Sequence, residues 1–101
     1  MATKYKLTKQ AALEYEKIVE YLSLKLKSPQ AASNFEKEFL RLVDLACVQP
    51  EVFPLSQHPR LAKLGYRKLL INRYIALYSF RNNVIIVAHI FHQTQDYARL
   101  V

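Results

Sequence analysis

The 101-residue chain has one glycine, one cysteine, one methionine and no tryptophan. The single glycine, Gly65, excludes glycine-rich phosphate loops of the P-loop or G-x-G-x-x-G kind, and the G-x-S-x-G nucleophile elbow. The single cysteine, Cys47, excludes an intrachain disulfide and a cysteine-rich zinc site, which suits a reducing compartment. Histidines stand only at 58, 89 and 92 with few carboxylates nearby, and that spacing matches no metal site. Neither a metal nor a nucleotide cofactor is expected. Long apolar runs are missing too. The longest, Val84 to Phe91 with His89 inside it, is eight residues, against about 20 for a membrane span. The N-terminus has no secretory pattern. A soluble, cytoplasmic chain without membrane association is the expectation. Acids are scarce: 8 Asp and Glu face 15 Lys and Arg, a net charge of +7. That imbalance favours an anionic partner.

The apolar share, 51%, is enough to build a core, and the length suits one domain over residues 1–101. Lys4 to Thr8 alternates polar and apolar residues and predicts a short strand. The Thr8 hydroxyl is placed to cap a helix. Ala11, Ala12, Tyr15, Ile18, Val19, Leu22 and Leu26 then recur at three- and four-residue steps, the signature of one helical face. Ser28-Pro29 opens a second helix, as serine at an N-cap and proline at the first turn should. Its stripe is Ala32, Phe35, Phe39, Leu42, Val43 and Ala46. So short a connection predicts an antiparallel hairpin of helices.

Pro50 and Pro54 close the second helix, and residues 51–65 read as irregular. Strands are predicted over Tyr66–Ile71, Tyr74–Phe80 and Val84–Phe91, from their Ile, Val, Tyr and Leu content. Asn82-Asn83 is the tight turn of the last hairpin, because asparagine tolerates positive φ. Val84 to Ala88 shows no polar alternation and predicts a central strand covered on both faces. The order β-α-α-β-β-β is an α+β fold: an N-terminal strand and an antiparallel two-helix hairpin packed on a small, mostly antiparallel sheet.

Charge divides unevenly along this order. Up to Pro50, eight basic residues face six acids; beyond it, seven face two. The excess lies on the loop-and-sheet half. Arg60, Lys63, Lys68 and Arg81 are its candidates for holding a nucleic-acid phosphate backbone. His89, inside an apolar strand, reads as a core or edge histidine. His92, after the strand, reaches solvent and with Tyr97 makes a candidate proton-transfer pair. The other tyrosines stand at core spacing, and Cys47 reads as a small buried hydrophobe.

Three segments carry a resemblance: SPQAASNFEKEFLRLVDLACVQP, then GYRKLLINRYIALYSF, then VIIVAHIFHQTQDYARL. In order and spacing the chain resembles the RelE/ParE superfamily, the toxins of bacterial type II toxin–antitoxin modules. The resemblance implies a microbial ribonuclease-like α+β fold and a role in growth inhibition and plasmid or genome stabilisation. It also implies a cognate antitoxin, acidic or amphipathic, that wraps the toxin, with operator DNA bound only through that antitoxin.

Two targets divide the superfamily. RelE-like members cut ribosome-bound mRNA without a metal; ParE-like members poison DNA gyrase. If the chain is RelE-like, the resemblance assigns catalysis to Arg67, Arg73, His92 and Tyr97. Tyr74-Ile75-Ala76-Leu77-Tyr78 matches the Y-R-L-V-Y strand of RelE-like members, with Ile75 where their catalytic arginine stands. Arg73, two residues earlier, is expected to face the same side of a regular strand, displaced by about 6.6 Å. His92 and Tyr97 fit the H-x-x-x-x-Y of some RelE-like chains, whereas His92 and Asp96 fit the H-x-x-x-D ending of ParE-like ones. Replacing a guanidinium by an alkyl chain removes both charge and donors, and losing one such group costs roughly 10²–10³ in rate. The substitution at Ile75 favours the ParE-like reading. The mRNA endoribonuclease is the alternative.

Overall fold

The computed structural model describes residues 4–101. Strand β1 (Lys4–Leu7) leads into helix α1 (Lys9–Glu20), which passes directly into a π-helical turn, Tyr21–Lys25. Helix α2 (Pro29–Val48) returns, and a short helix α3 (Pro59–Lys63) follows. Strands β2 (Arg67–Ile71), β3 (Tyr74–Arg81) and β4 (Val84–His92) complete the sheet, and a 3-10 turn, Tyr97–Arg99, ends the order.

The caps sit where their chemistry places them. Thr8 Oγ1 accepts the Ala11 N–H at 3.1 Å and donates to the Ala88 carbonyl at 2.9 Å, so one hydroxyl starts α1 and ties it to β4. Ser28 Oγ accepts the Ala31 N–H at 3.1 Å, with Pro29 in the first turn of α2. Gly65, at φ 88, ends α3 in a left-handed conformation that a Cβ would strain. Asn82 and Asn83, at φ 51 and 62, form the expected tight turn.

The sheet order is β1-β4-β3-β2, with β1 parallel to β4 and the other pairs antiparallel. The α+β reading and its mostly antiparallel sheet therefore hold. One face packs on the helical hairpin. There Phe35, Phe39, Leu42, Val43 and Ala46 of α2 meet Leu69, Ile71, Ala76, Tyr78, Ile85, Val87 and Ile90. Aromatic edges lock this core: the Tyr15 ring lies 5.0 Å from that of Phe39, and Phe35 5.2 Å from Tyr74. The other face is covered over only part of its area. Leu61 of α3 and Tyr97 cap Ile75, Leu77 and Phe91 in a second apolar cluster.

Four details differ from the sequence reading. The first helical stripe departs from the reading at both ends: Ala12 is exposed in the first turn of α1, and Leu26 is exposed after the π-helical turn, which rotates the register beyond Glu20. The Ser23 hydroxyl donates to the Val19 carbonyl at 2.8 Å in this turn, a bond that competes with the helical ladder. The 51–65 stretch contains α3, nucleated by Pro59 in a first turn too short to show periodicity. Strand β4 runs through His92. Finally, β4 is central but not covered on both faces throughout: Val84 and Ile86 are only half-buried. The register with β3 shifts between Leu77 and Tyr78, so Ala88 is an extra residue. This bulge moves the core-facing positions from Ile85 and Val87 to Ile90, and hides the alternation a period-two pattern would have displayed.

Candidate functional site

At the end of the sheet where β2 turns into β3, the helical hairpin stands away and leaves a cleft of about 980 Å³. Its floor is apolar: Leu22, Phe35 and Tyr74, with Tyr21 half-exposed beside them. Its rim carries Lys37, Arg41 and Arg73, opposed only by Glu38. Glu38 is already engaged by Arg41, whose Nε donates to Oε2 at 3.1 Å, and that pairing holds the Glu38 carboxyl below its ordinary range. Lys37 and Arg73 have no ion-pair partner among the described residues. Burial, and secondarily the neighbouring Tyr21, raises the Tyr74 phenol above its ordinary value, so it stays protonated and can donate.

His92 and Tyr74 form the wall between this cleft and a second one of about 620 Å³. Their rings meet edge to face at 5.2 Å. The Thr94 backbone N–H donates to His92 Nδ1 at 3.2 Å, and the Thr94 hydroxyl lies 2.7 Å from the same nitrogen. A ring nitrogen accepting an N–H bears no proton, so the hydrogen-bond network assigns the neutral His92 its proton on Nε2. In the second cleft Glu14 Oε1 accepts the Ile90 N–H at 2.9 Å, and His89 Nδ1 lies 3.9 Å from the same oxygen. His89 Nδ1 is buried without a hydrogen-bond partner among the described residues.

The remaining residues singled out from the sequence scatter. Arg67 faces the helical side and donates to the Phe53 carbonyl at 2.7 Å, pinning the loop after α2. Arg73 occupies the Asn72-Arg73 turn, not a strand; Asn72, at φ 57, turns the chain there. The same-face argument for Arg73 therefore does not apply, because a turn residue has no strand alternation. Tyr97 is 8% exposed, its ring stacked 5.8 Å from Phe91 and edge-on at 5.0 Å to His58. It lies in the cluster under the opposite face from the His92–Tyr74 contact. The structure thus brings Arg73 and His92 to one cleft and leaves Arg67 and Tyr97 elsewhere.

Among the four phosphate candidates, Arg60 donates to the backbone oxygens of Ala98 and Val101, the latter at 2.9 Å, and clamps the last turn onto α3. Lys63 is exposed on α3, Lys68 is half-buried on β2, and Arg81 is exposed at the end of β3. No cluster of three metal-ligating side chains occurs among the described residues. Nor is any helix among them long and apolar enough to cross a membrane. Tyr21, Lys37 and Glu14 were not apparent as site residues in the sequence: each sits on a helix whose polar face looked like ordinary solvated surface.

A helical hairpin laid on a mixed four-stranded sheet, with a charged cleft at one end and an apolar cluster sealing part of the far face, is a small α+β architecture. The model of the ParE toxin family of type II toxin–antitoxin systems, parDE, matches residues 5–97, and the chain belongs to that family. Its fold is similar to that of a solved chain described as the chromosomal ParDE toxin–antitoxin system from P. aeruginosa. The TM-score is 0.68 at 18% identity, over 91% of this chain and 96% of that one. No curated protein matches the sequence.

Proposed function

We propose that this type II toxin acts by binding a protein target, DNA gyrase, and does not cleave mRNA. The observation that carries this reading is the environment of Ile75. This residue stands where RelE-like members place a catalytic arginine, and it is 7% exposed in a cluster with Leu61, Leu77, Phe91 and Tyr97. Phosphodiester cleavage needs positive charge and donors at the developing oxyanion. Hydrocarbon supplies neither. The separation of Arg67 and Tyr97 from the cleft that holds Arg73 and His92 supports the same reading. The exposed turn from Gln93 to Asp96, with Arg99 and Leu100, is the gyrase-contacting surface.

The cleft beside Arg73 is where the antitoxin sits. Its apolar floor and the unpaired Lys37 and Arg73 suit an acidic, amphipathic segment that folds as it binds. Purified protein added to a gyrase supercoiling reaction is expected to inhibit it, while the same protein leaves message intact in cell-free translation. Cleavage of mRNA at ribosomal A-site codons, lost in Arg73→Ala, would overturn the proposal.

A further inference from the structure

The four strands contain no aspartate or glutamate, whereas they carry Lys4, Lys6, Arg67, Lys68 and Arg81. Strand alternation sorts these cations. Tyr5 and Leu7 pack on the helical core, so Lys4 and Lys6 point to the other face. Tyr78 and Leu69 likewise belong to the helical core, which sends Ser79, Arg81 and Lys68 outward; Arg67 alone faces inward. The register places Lys4, Val84 and Arg81 in one row across β1, β4 and β3, with Lys6, Ile86 and Ser79 in the next. The apolar cluster under α3 and Tyr97 covers the half of this face around Ile75, Leu77 and Phe91. The half holding Lys4, Lys6 and Arg81 lies beyond it, and all three are exposed. No ion pair among the described residues involves Lys4, Lys6, Lys68 or Arg81.

We infer that this open half of the sheet is a docking platform for the phosphate backbone of duplex DNA, separate from the cleft. Charge complementarity carries the assignment: three exposed cations, with the half-buried Lys68 at the border of the covered half, meet no acid from any strand. Lys4 and Lys6 stand about 6.6 Å apart along β1, and Arg81 lies two strands, roughly 9.6 Å, across from Lys4, so the cations can reach separate phosphates. The same face argues against single-stranded nucleic acid. Unstacked bases need exposed aromatic platforms, and Tyr66, the aromatic next along this face, is half-buried against the second cluster. With no side chain shaped to enter a groove, contact is to backbone and without sequence preference. The inference does not depend on the gyrase assignment. It concerns a different face, and its test reads DNA binding by the toxin alone.

Fluorescence anisotropy with a short labelled DNA duplex is the experiment. Neutralising three or four phosphates predicts affinity falling roughly 40- to 150-fold between 50 and 200 mM salt. Lys6→Gln/Arg81→Gln is expected to weaken binding and reduce the log–log salt slope by about two. Lys25→Gln/Lys27→Gln, a double change of equal charge in the exposed connection between the helices, is expected to leave the slope unchanged. Circular dichroism checks that both variants are folded. Equal weakening by the two pairs would show only a net-charge effect and overturn the platform. Tighter binding to single-stranded DNA, to duplex RNA or to polyglutamate than to duplex DNA would overturn the choice of occupant.

Discussion

Ile75 shows how the surroundings of a single side chain limit the chemistry its strand can support. Among its neighbours Leu61, Leu77, Phe91 and Tyr97, only the single Tyr97 hydroxyl is polar, so a guanidinium there would leave most of its five donors unpaired. Ile75→Arg is therefore expected to lose about 3–5 kcal/mol, the cost of an uncompensated buried charge, without gaining nuclease activity. Ile75→Val removes one methyl and should cost about 0.5–1.5 kcal/mol. Urea unfolding of the two variants checks both; a near-neutral Ile75→Arg would mean the cluster opens readily. The departure at Ile75 was visible in the sequence, but its burial was not, because the covering residues come from α3 and the last turn. Tyr97 shows the same limit from the other side. Beyond the last strand it read as a solvent-facing proton-transfer group, and it is a core residue held by stacking on Phe91. His92 is informative only with Thr94 in view, since the tautomer follows from a contact two residues away.

At the scale of elements, the helices and the hairpin were legible because each obeys one period and one set of caps. Thr8, Ser28, Pro29 and the Asn82-Asn83 turn all stand where their side chains and backbone preferences direct them. What escaped the sequence breaks a period. The π-helical turn shifts the α1 stripe, the Ala88 bulge shifts the β4 alternation, and α3 is shorter than two helical turns. Thr8 joins these elements, since its hydroxyl caps α1 and also bonds the Ala88 carbonyl at the bulge. Removing it orphans an amide and a carbonyl together. Thr8→Ala is expected to cost about 1–3 kcal/mol, and Thr8→Ser, which keeps both bonds, much less. Hydrogen exchange should show the loss at Ala11 and along β4 together. Loss confined to the first turn of α1 would mean the bulge does not depend on Thr8.

Across the whole molecule, two side-chain bonds help the loop after α2 close the core: Arg67 to the Phe53 carbonyl, and the Tyr78 hydroxyl to the Pro50 carbonyl at 2.7 Å. Tyr78 is fully buried, and that burial pushes its phenol up to about 12. Tyr15 is raised to about 12 as well, by burial first and then by Glu36, but it is only half-buried. A phenol titrating near 10 when unfolded and near 12 when folded stabilises the fold fully below pH 10. That contribution is lost as pH rises from 10 to 12. At 1.36 kcal/mol for each pH unit, Tyr78 alone accounts for a loss of about 2–3 kcal/mol across that window. Tyr15 adds less, its charged form being partly solvated. Tyr78→Phe separates the two effects of the hydroxyl. At pH 8 the variant is expected to be less stable by about 1–3 kcal/mol, because the Pro50 carbonyl is left without its donor. From pH 10 to 12 it should decline less steeply than the parent, so the two stability curves converge. Guanidinium unfolding midpoints measured from pH 8 to 12 decide this. Lysines titrate in both proteins alike, so curves that stay parallel would show that the Tyr78 phenol does not link the loop to alkaline stability.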